Sequence, residues 1–212
     1  MIKFVVDDKT IEAQEGMSVL EACLENDIYI PHLCFMKGME EPHASCRLCF
    51  VEIEGGRRPE TACTTEVQDG MVIRTNTPAV RQLQRSALQL LLSVHDVDCA
   101  HCPANRRCAL QDMARFLKVG LKPKKLEKIL KEPAVEQIHP LLDYYPNRCV
   151  LCGRCIAACR ATHGRPYLTF AKRGIQTVVA SFVEKDTAEL PCEDNPACVD
   201  VCPVSAIMRH ES

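Results

Sequence analysis

Short hydrophobic runs of alternating pattern occupy the first part of the chain and predict β-strands. Ile2–Val6 and Lys9–Ala13 flank an Asp-Asp pair and predict a hairpin. Phe50–Glu54 and Arg57–Pro59 bracket a Gly-Gly pair and predict a second hairpin, and the run that begins at Val72 predicts a short closing strand. These elements predict a small β-rich domain.

Two stretches show helical periodicity instead. Ser18 starts an amphipathic run, and Glu21 lies three residues after Ser18, which is the pattern of a capping box. From Pro78 onward, apolar residues recur at steps of three and four and predict a helix with one buried face. These are Val80, Leu83, Ala87, Leu90 or Leu91, and Val94.

The middle of the chain, 118–132, is rich in lysine and predicts a connector, because Pro123 interrupts it and further prolines follow. We interpret its lysines as the solvated face of a helix, with Leu126, Ile129 and Leu130 packed beneath. Beyond the connector, Gln176–Ala180 predicts a strand between two cysteine-rich runs.

Composition directs attention to the cysteines. The chain has 212 residues, a formal net charge of −2 and 15 cysteines. A net charge of this sign and size gives no overall positive potential that would attract nucleic acid or anionic membranes. The N-terminus lacks the pattern of a secretory signal, and the apolar stretches are too short to span a bilayer, so we expect a reducing cytoplasm. A disulfide framework is improbable there, and an odd count cannot pair completely, which leaves metal binding.

The first cysteine group lies in the β-rich domain with the spacing C-x11-C-x2-C-x13-C. Its members are Cys34, Cys46, Cys49 and Cys63. Thiolates suit an iron–sulfur cluster, whereas a closed tetrahedral zinc site is the alternative. The local sequences, such as the one from Ile30 to Cys34, resemble the N-terminal [2Fe–2S] domain of the large iron–sulfur subunit of respiratory complex I. The resemblance implies a β-grasp ferredoxin fold.

The second group has the spacing H-x3-C-x2-C-x5-C, followed by Leu110 and Gln111. Its members are His95, Cys99, Cys102 and Cys108. One imidazole and three thiolates also hold zinc, which is the open alternative. The string resembles the His-ligated [4Fe–4S] site of the same family. His101 lies between two ligands, and we expect it in a supporting or surface position.

The third group, C-x2-C-x2-C-x3-C, is the pattern of a bacterial ferredoxin, in which the fourth Cys binds the other cluster. A distant Cys before a Pro must then complete the first cubane, and Cys202 precedes Pro203. We therefore assign a [4Fe–4S] cluster to one set of four: Cys149, Cys152, Cys155 and Cys202.

The fourth group is incomplete, because Asn195 stands where a second ferredoxin run would carry a Cys. Its three cysteines are Cys159, Cys192 and Cys198. A carboxylate or water completes this further cluster, or a three-iron cluster forms, or the site is empty. Cys23 is left over, and its neighbours on the predicted helix indicate a buried apolar role.

No dinucleotide-binding, P-loop, zinc-protease or nucleophile-elbow motif occurs, and only nine glycines are present. We therefore expect no substrate, nucleotide or flavin site and no catalytic residue in this chain. Instead, we expect an electron-transfer subunit of an NAD(P)-linked oxidoreductase, with one [2Fe–2S] and two [4Fe–4S] clusters and the incomplete further site. Two other classes stay open: a zinc-stabilised scaffold and an iron–sulfur redox sensor.

The resemblance extends over essentially the whole chain. It implies an α+β fold of a β-grasp [2Fe–2S] ferredoxin domain (1–78), a small helical domain for the His-ligated [4Fe–4S] cluster (79–118), a connector (119–140) and a C-terminal two-cluster ferredoxin-like domain (141–212). The arrangement is similar to the diaphorase-side subunit of soluble NAD(P)-linked hydrogenases, including electron-bifurcating ones.

The partners that this similarity implies are a flavoprotein that oxidises NAD(P)H, a small iron–sulfur subunit and a hydrogenase catalytic subunit. No nucleic acid and no membrane insertion are expected. Complex I and formate dehydrogenase counterparts usually continue into a long C-terminal domain. The stop at Ser212 therefore favours the hydrogenase type, with a formate dehydrogenase or a complex I-like NADH dehydrogenase as the alternative.

Overall fold

The computed structural model describes residues 1–39, 41–182 and 196–210. The chain divides into two compact units. Met1–Leu90 and Met113–Val119 form unit 1, and Leu91–Asp112 and Gly120–Ser212 form unit 2. Helices and sheets occur in both, which confirms the predicted mixture of the two. No helix among the described residues is long and apolar enough to cross a membrane.

Unit 1 contains a five-stranded sheet in the order β2-β1-β5-β3-β4. Its strands are β1 (Ile2–Val6), β2 (Lys9–Ala13), β3 (Phe50–Ile53), β4 (Glu60–Thr61) and β5 (Val72–Arg74). β5 pairs parallel with β1, and the other pairs are antiparallel. The predicted first hairpin and closing strand are confirmed.

The second hairpin differs from the prediction. Phe50 pairs with Thr61 and Val51 with Glu60, so the returning arm begins at Glu60 and not at Arg57. One constraint accounts for this shift: Pro59 has no amide hydrogen to contribute to a ladder.

Helix α1 (Val19–Glu25) packs its apolar residues into the core of unit 1. The N-cap half of the predicted capping box is confirmed, because the Glu21 amide donates to Ser18 Oγ at 3.2 Å. Cys23 on this helix is completely buried, as predicted. Alternating strand residues, including Phe4, Val6 and Ile11, complete this core.

Helix α2 (Pro78–Ser93) confirms the second predicted helix, but the predicted buried face is wrong beyond Val80. The buried face continues through Gln84 and Leu88 at steps of four, whereas Leu83 and Leu90 are exposed. Gln84 is fully buried, and its Nε2 donates to the Phe50 carbonyl at 3.1 Å. The pattern did not predict helix α3 (Ala109–Leu117).

Unit 2 contains a three-stranded sheet in the order β10-β7-β6 and a hairpin of β8 and β9. The strands are β6 (Glu136–His139), β7 (Leu142–Tyr144), β8 (Leu168–Ala171), β9 (Val178–Ser181) and β10 (Ile207–Arg209). β9 lies close to the strand predicted from Gln176. Helices α4 (Arg154–His163) and α5 (Ala197–Asp200) pack together beside these strands.

The lysine-rich stretch 118–132 is irregular, so the interpretation as a packed helix is wrong. Leu126, Ile129 and Leu130 are each more than a third exposed. The backbone of this stretch hydrogen-bonds with other parts of the chain, since the Ile129 amide donates to the Ser93 carbonyl at 3.0 Å. Asn147 clamps residue 131, since its Oδ1 accepts from the Lys131 amide at 2.7 Å and its Nδ2 donates to the Lys131 carbonyl at 3.0 Å.

Candidate iron–sulfur sites

The first cysteine group converges in unit 1, where loops next to the sheet bring its members together. Cys46 and Cys49 come just before β3, and Cys63 follows β4. All four thiols are buried, with at most 3% exposure. Cys34 Sγ lies 3.4 Å from Cys46 Sγ, and Cys63 hydrogen-bonds with both Cys34 and Cys49.

The close contact between these thiols governs their ionisation. Hydrogen bonds from neighbouring thiols lower the pKa of Cys34 and of Cys49. The hydrogen bond with Cys34, together with burial, raises the pKa of Cys46, and the same causes raise the pKa of Cys63. The four buried thiols cannot all ionise to thiolates on their own, because no cation among the four residues balances the negative charge. Bound iron would supply that balance.

The second group surrounds a cavity in unit 2 with about 250 Å³ of empty space. Its walls are the four predicted ligands together with Asp96, Asp98, Asn105 and Gln111. Gln111 fixes the loop between the cysteines, since its Oε1 accepts from the Arg106 amide at 2.8 Å and its Nε2 donates to Asn105 Oδ1 at 3.0 Å. The structure therefore brings His95, Cys99, Cys102 and Cys108 around one space.

His95 has the environment of a metal ligand. It is 8% exposed, and burial lowers its pKa, which keeps the imidazole neutral at physiological pH. Its Nδ1 lies 3.0 Å from the Arg148 carbonyl oxygen. A carbonyl only accepts, so Nδ1 carries the hydrogen and Nε2 retains the lone pair for iron. His101 is exposed and pairs with Asp98 at 2.8 Å, which confirms a surface position.

The third group surrounds a largely apolar cavity with about 310 Å³ of empty space. Its four cysteines share the walls with Val150, Gly153, Val179, Val204, Ala206 and Ile207. Gly153 has a φ of 75° at the start of α4, a conformation that turns the chain between Cys152 and Cys155 at little steric cost. Burial raises the pKa of Cys152 to about 12 and also raises that of Cys149 and Cys155.

Hydrogen-bond donors point at the sulfurs of this third set. The Leu151 amide donates to Cys149 Sγ at 3.4 Å, and the Ala206 amide donates to Cys202 Sγ at 3.1 Å. Within the described part of the chain, Arg154 Nε is buried without a hydrogen-bond partner. Fully or partly buried thiols, directed donors and an unsatisfied Nε–H group fit an anionic cluster in this cavity.

The fourth group is only partly described. Cys159 and Cys198 are both buried, and Cys159 Sγ accepts from the Tyr167 amide at 3.2 Å. Cys198 lies close enough to Cys155 to interact with it electrostatically. Cys192 and Asn195 lie outside the described residues.

Across residues 1–39, 41–182 and 196–210, no group of three or more His, Cys, Asp or Glu side chains has the spacing that holds a single metal ion. The second and third groups line cavities instead. The sequence predictions missed the clamp residue Asn147, because nothing in its local sequence indicates a partner far along the chain.

Three family models match consecutive parts of the chain. Residues 1–78 match the 2Fe-2S iron-sulfur cluster binding domain. Residues 84–121 match the NADH-ubiquinone oxidoreductase-G iron-sulfur binding region, and residues 139–208 match the NADH-quinone oxidoreductase subunit 3 ferredoxin-like domain.

Curated relatives match nearly the whole chain. A G-type NADH-quinone oxidoreductase subunit of Rhizobium meliloti is 37% identical over 98% of this chain. The NADP-reducing hydrogenase subunit HndD of Solidesulfovibrio fructosivorans is 33% identical over 100% of it. The chain spans only 24% of the first relative and 36% of the second.

Among solved structures, a chain in the crystal structure of NAD+-reducing [NiFe]-hydrogenase in the H2-reduced state is similar throughout. The TM-score is 0.86 and the sequence identity is 30%. The match covers 100% of this chain and 88% of that chain.

Proposed function

Because the chain belongs to the family of iron–sulfur subunits shared by NADH-quinone oxidoreductases and NAD(P)-linked hydrogenases, we propose that it relays single electrons within such a complex. The donor is a flavoprotein subunit that oxidises NAD(P)H, and the acceptor is a hydrogenase catalytic subunit, with a small iron–sulfur subunit as a further partner. When bound, the clusters supply the one-electron redox centres. The similarity to NADP-reducing and NAD+-reducing hydrogenases supports this assignment.

Three sets of residues would hold these clusters. Cys34, Cys46, Cys49 and Cys63 would hold the [2Fe–2S] cluster. His95 with Cys99, Cys102 and Cys108 would hold one [4Fe–4S] cluster, and Cys149 with Cys152, Cys155 and Cys202 would hold another. Cys159, Cys192 and Cys198 would supply three ligands to a further site.

One contact carries the proposal: the hydrogen bond that joins the two [4Fe–4S] ligand sets. The His95 imidazole donates to the carbonyl of Arg148, and Arg148 is bonded directly to Cys149. Beside it, the Asp96 amide donates to the Asn147 carbonyl at 2.6 Å. One hydrogen bond and the backbone of Arg148 therefore connect a ligand of one site to a ligand of the other. This is the arrangement that a relay requires.

The proposal is tested in the complex purified without air. We expect the His95→Ala variant to keep the [2Fe–2S] signal and to lose electron transfer from NAD(P)H to the terminal acceptor. Dye reduction by the flavoprotein should continue, because that activity does not pass through this chain. His101→Ala is the matched control, since His101 is exposed outside the ligand set, and it should behave as the wild type.

Transfer at the wild-type rate in His95→Ala would contradict the relay. A colourless preparation that contains zinc and no sulfide would contradict the cluster assignment. If the co-purifying catalytic subunit oxidises formate, the relay stands and the hydrogenase assignment is wrong. Iron content per copy of this chain, measured on the separated subunit, tests the incomplete site: three clusters require about ten iron atoms, and a further cubane raises this to about 14.

A further inference from the structure

Asn147 lies in the turn just before the third cysteine group, and it is only 7% exposed. Its side-chain amide contacts the backbone of Lys131 at two points. Oδ1 accepts from the Lys131 amide at 2.7 Å, and Nδ2 donates to the Lys131 carbonyl at 3.0 Å. Both bonds are buried, which strengthens them electrostatically. The side chain thus pairs with this backbone as a neighbouring strand would.

The turn that Asn147 anchors carries hydrogen-bond acceptors for the second group. The Arg148 carbonyl accepts from His95 Nδ1 at 3.0 Å, and the Asn147 carbonyl accepts from the Asp96 amide at 2.6 Å. Two successive carbonyls thus bind two successive residues. Within the turn, the Arg148 amide donates to the Tyr145 carbonyl at 3.0 Å. A displacement of residue 147 would therefore also displace the acceptor of the imidazole hydrogen.

The connector segment that Asn147 binds also contacts the loop of the second group. The Ile129 amide donates to the Ser93 carbonyl at 3.0 Å, and the Lys128 ammonium lies 2.6 Å from Asp96 Oδ1. Both members of the Lys128–Asp96 pair are about half exposed, so this pair contributes little on its own. The buried bonds of Asn147 therefore hold the segment more firmly than the exposed ion pair does.

We propose that Asn147 is a positioning residue for the His95 ligand. By binding the backbone of Lys131, Asn147 fixes the Arg148 carbonyl in the place where it accepts the Nδ1 hydrogen of the imidazole. The inference rests on the proposed function, which makes His95 a ligand. Such a hydrogen bond fixes the tautomer and the ring orientation and makes Nε2 a better donor to iron, and its loss typically costs about 10–100-fold in metal affinity.

The test uses the complex purified without air and follows the paramagnetic signal of the second group's cluster by electron spin-echo spectroscopy. Nitrogen modulation of this signal reports the imidazole, and the His95→Cys variant identifies it by lacking that modulation. The quadrupole coupling of the uncoordinated ring nitrogen depends on its N–H hydrogen bond. We expect Asn147→Ala to change that coupling. We also expect the signal to decay about tenfold faster in the iron chelator bathophenanthroline.

Asn26→Ala is the matched control, because its amide also binds backbone, but in unit 1. Asn26 Nδ2 donates to the carbonyls of Glu12 at 3.2 Å and of Ala22 at 2.9 Å. This variant should have the nitrogen coupling and the decay rate of the wild type.

Asn147→Asp tests the same bonds if Asn147→Ala does not assemble. It keeps the acceptor for the Lys131 amide but places a carboxylate oxygen against the Lys131 carbonyl, so the nitrogen coupling should again change. An unchanged coupling or decay rate in either variant, or an equal change in Asn26→Ala, would overturn the inference. Failure of the proposed function is distinguishable, because the wild type would then show no nitrogen-modulated cluster signal.

Discussion

The burial of Cys23 leads to a sharp test of the cluster assignment in unit 1. Five cysteines lie in this unit's core, and we assign four as ligands and Cys23 as an apolar core residue. Burial, with the charge of Asp7, raises the pKa of Cys23 to about 12, so it is a neutral thiol at physiological pH. We therefore expect Cys23→Ala to retain the full [2Fe–2S] content.

The cost of this substitution follows from the burial. Cys23→Ala deletes one completely buried heavy atom and should lower the free energy of unfolding by about 1 kcal/mol, as for the loss of a buried methylene. Cys23→Ser keeps the number of heavy atoms but buries a hydroxyl, whose desolvation costs about 1–3 kcal/mol before any bond to a helix carbonyl offsets it. The serine variant should therefore be no more stable than the alanine variant.

The assay combines iron and sulfide content with urea unfolding followed by circular dichroism. Cys49→Ala is the control, because Cys49 is equally buried and is assigned as a ligand. It should lose the [2Fe–2S] absorption, whereas Cys23→Ala should keep it. Equal iron loss in the two variants would refute the distinction between ligand and core cysteine.

The remaining predictions concern charge and ligation. The Cys23 thiol has a pKa of 9.0 in the unfolded chain and a higher one in the folded state, so the folded state holds the proton more tightly. The wild type should therefore lose stability relative to Cys23→Ala as the pH rises from 9 towards 12, measured by urea midpoints. His95→Cys should keep the iron of the second group's cluster but lower the reduction midpoint of that cluster, since a thiolate adds one negative charge. A higher midpoint in the redox titration would contradict this. Cys149→Ser and Cys202→Ser should abolish the same paramagnetic signal, and the loss of two different signals would break the assignment.

Local patterns predicted the elements that local interactions form. The hairpin of β1 and β2 joins neighbouring residues, and α1 begins at a serine that caps it directly. The short strands of unit 2 were mostly missed because they pair across long separations. β7, for example, pairs with β10 through Tyr144 and Ile207, and three-residue strands carry no periodic signal. The helix expected in the connector is absent because partners elsewhere in the chain bind its backbone.

For the candidate sites too, the local sequence predicts one part and only the fold shows the other. Cysteine spacing grouped His95 with its three thiols because one short loop carries the ligands, and the structure places all four around one cavity. Spacing says nothing about the side chains that support the ligands. The Asn147 side chain binds the backbone of Lys131, which is 16 residues away. Only the folded chain shows that contact.

The Asn147 clamp has a consequence for maturation. Its side chain holds the backbone of residue 131, and its own carbonyl receives the Asp96 amide, next to the histidine of the second group. Two residues later, the chain enters the third group at Cys149. One amide side chain would thus tie the loading of the two proposed metal centres to the ordering of the segment between them. We expect a nascent subunit that has acquired one centre to have the loop of the other partly organised, and oxidative loss of either centre to loosen both loops.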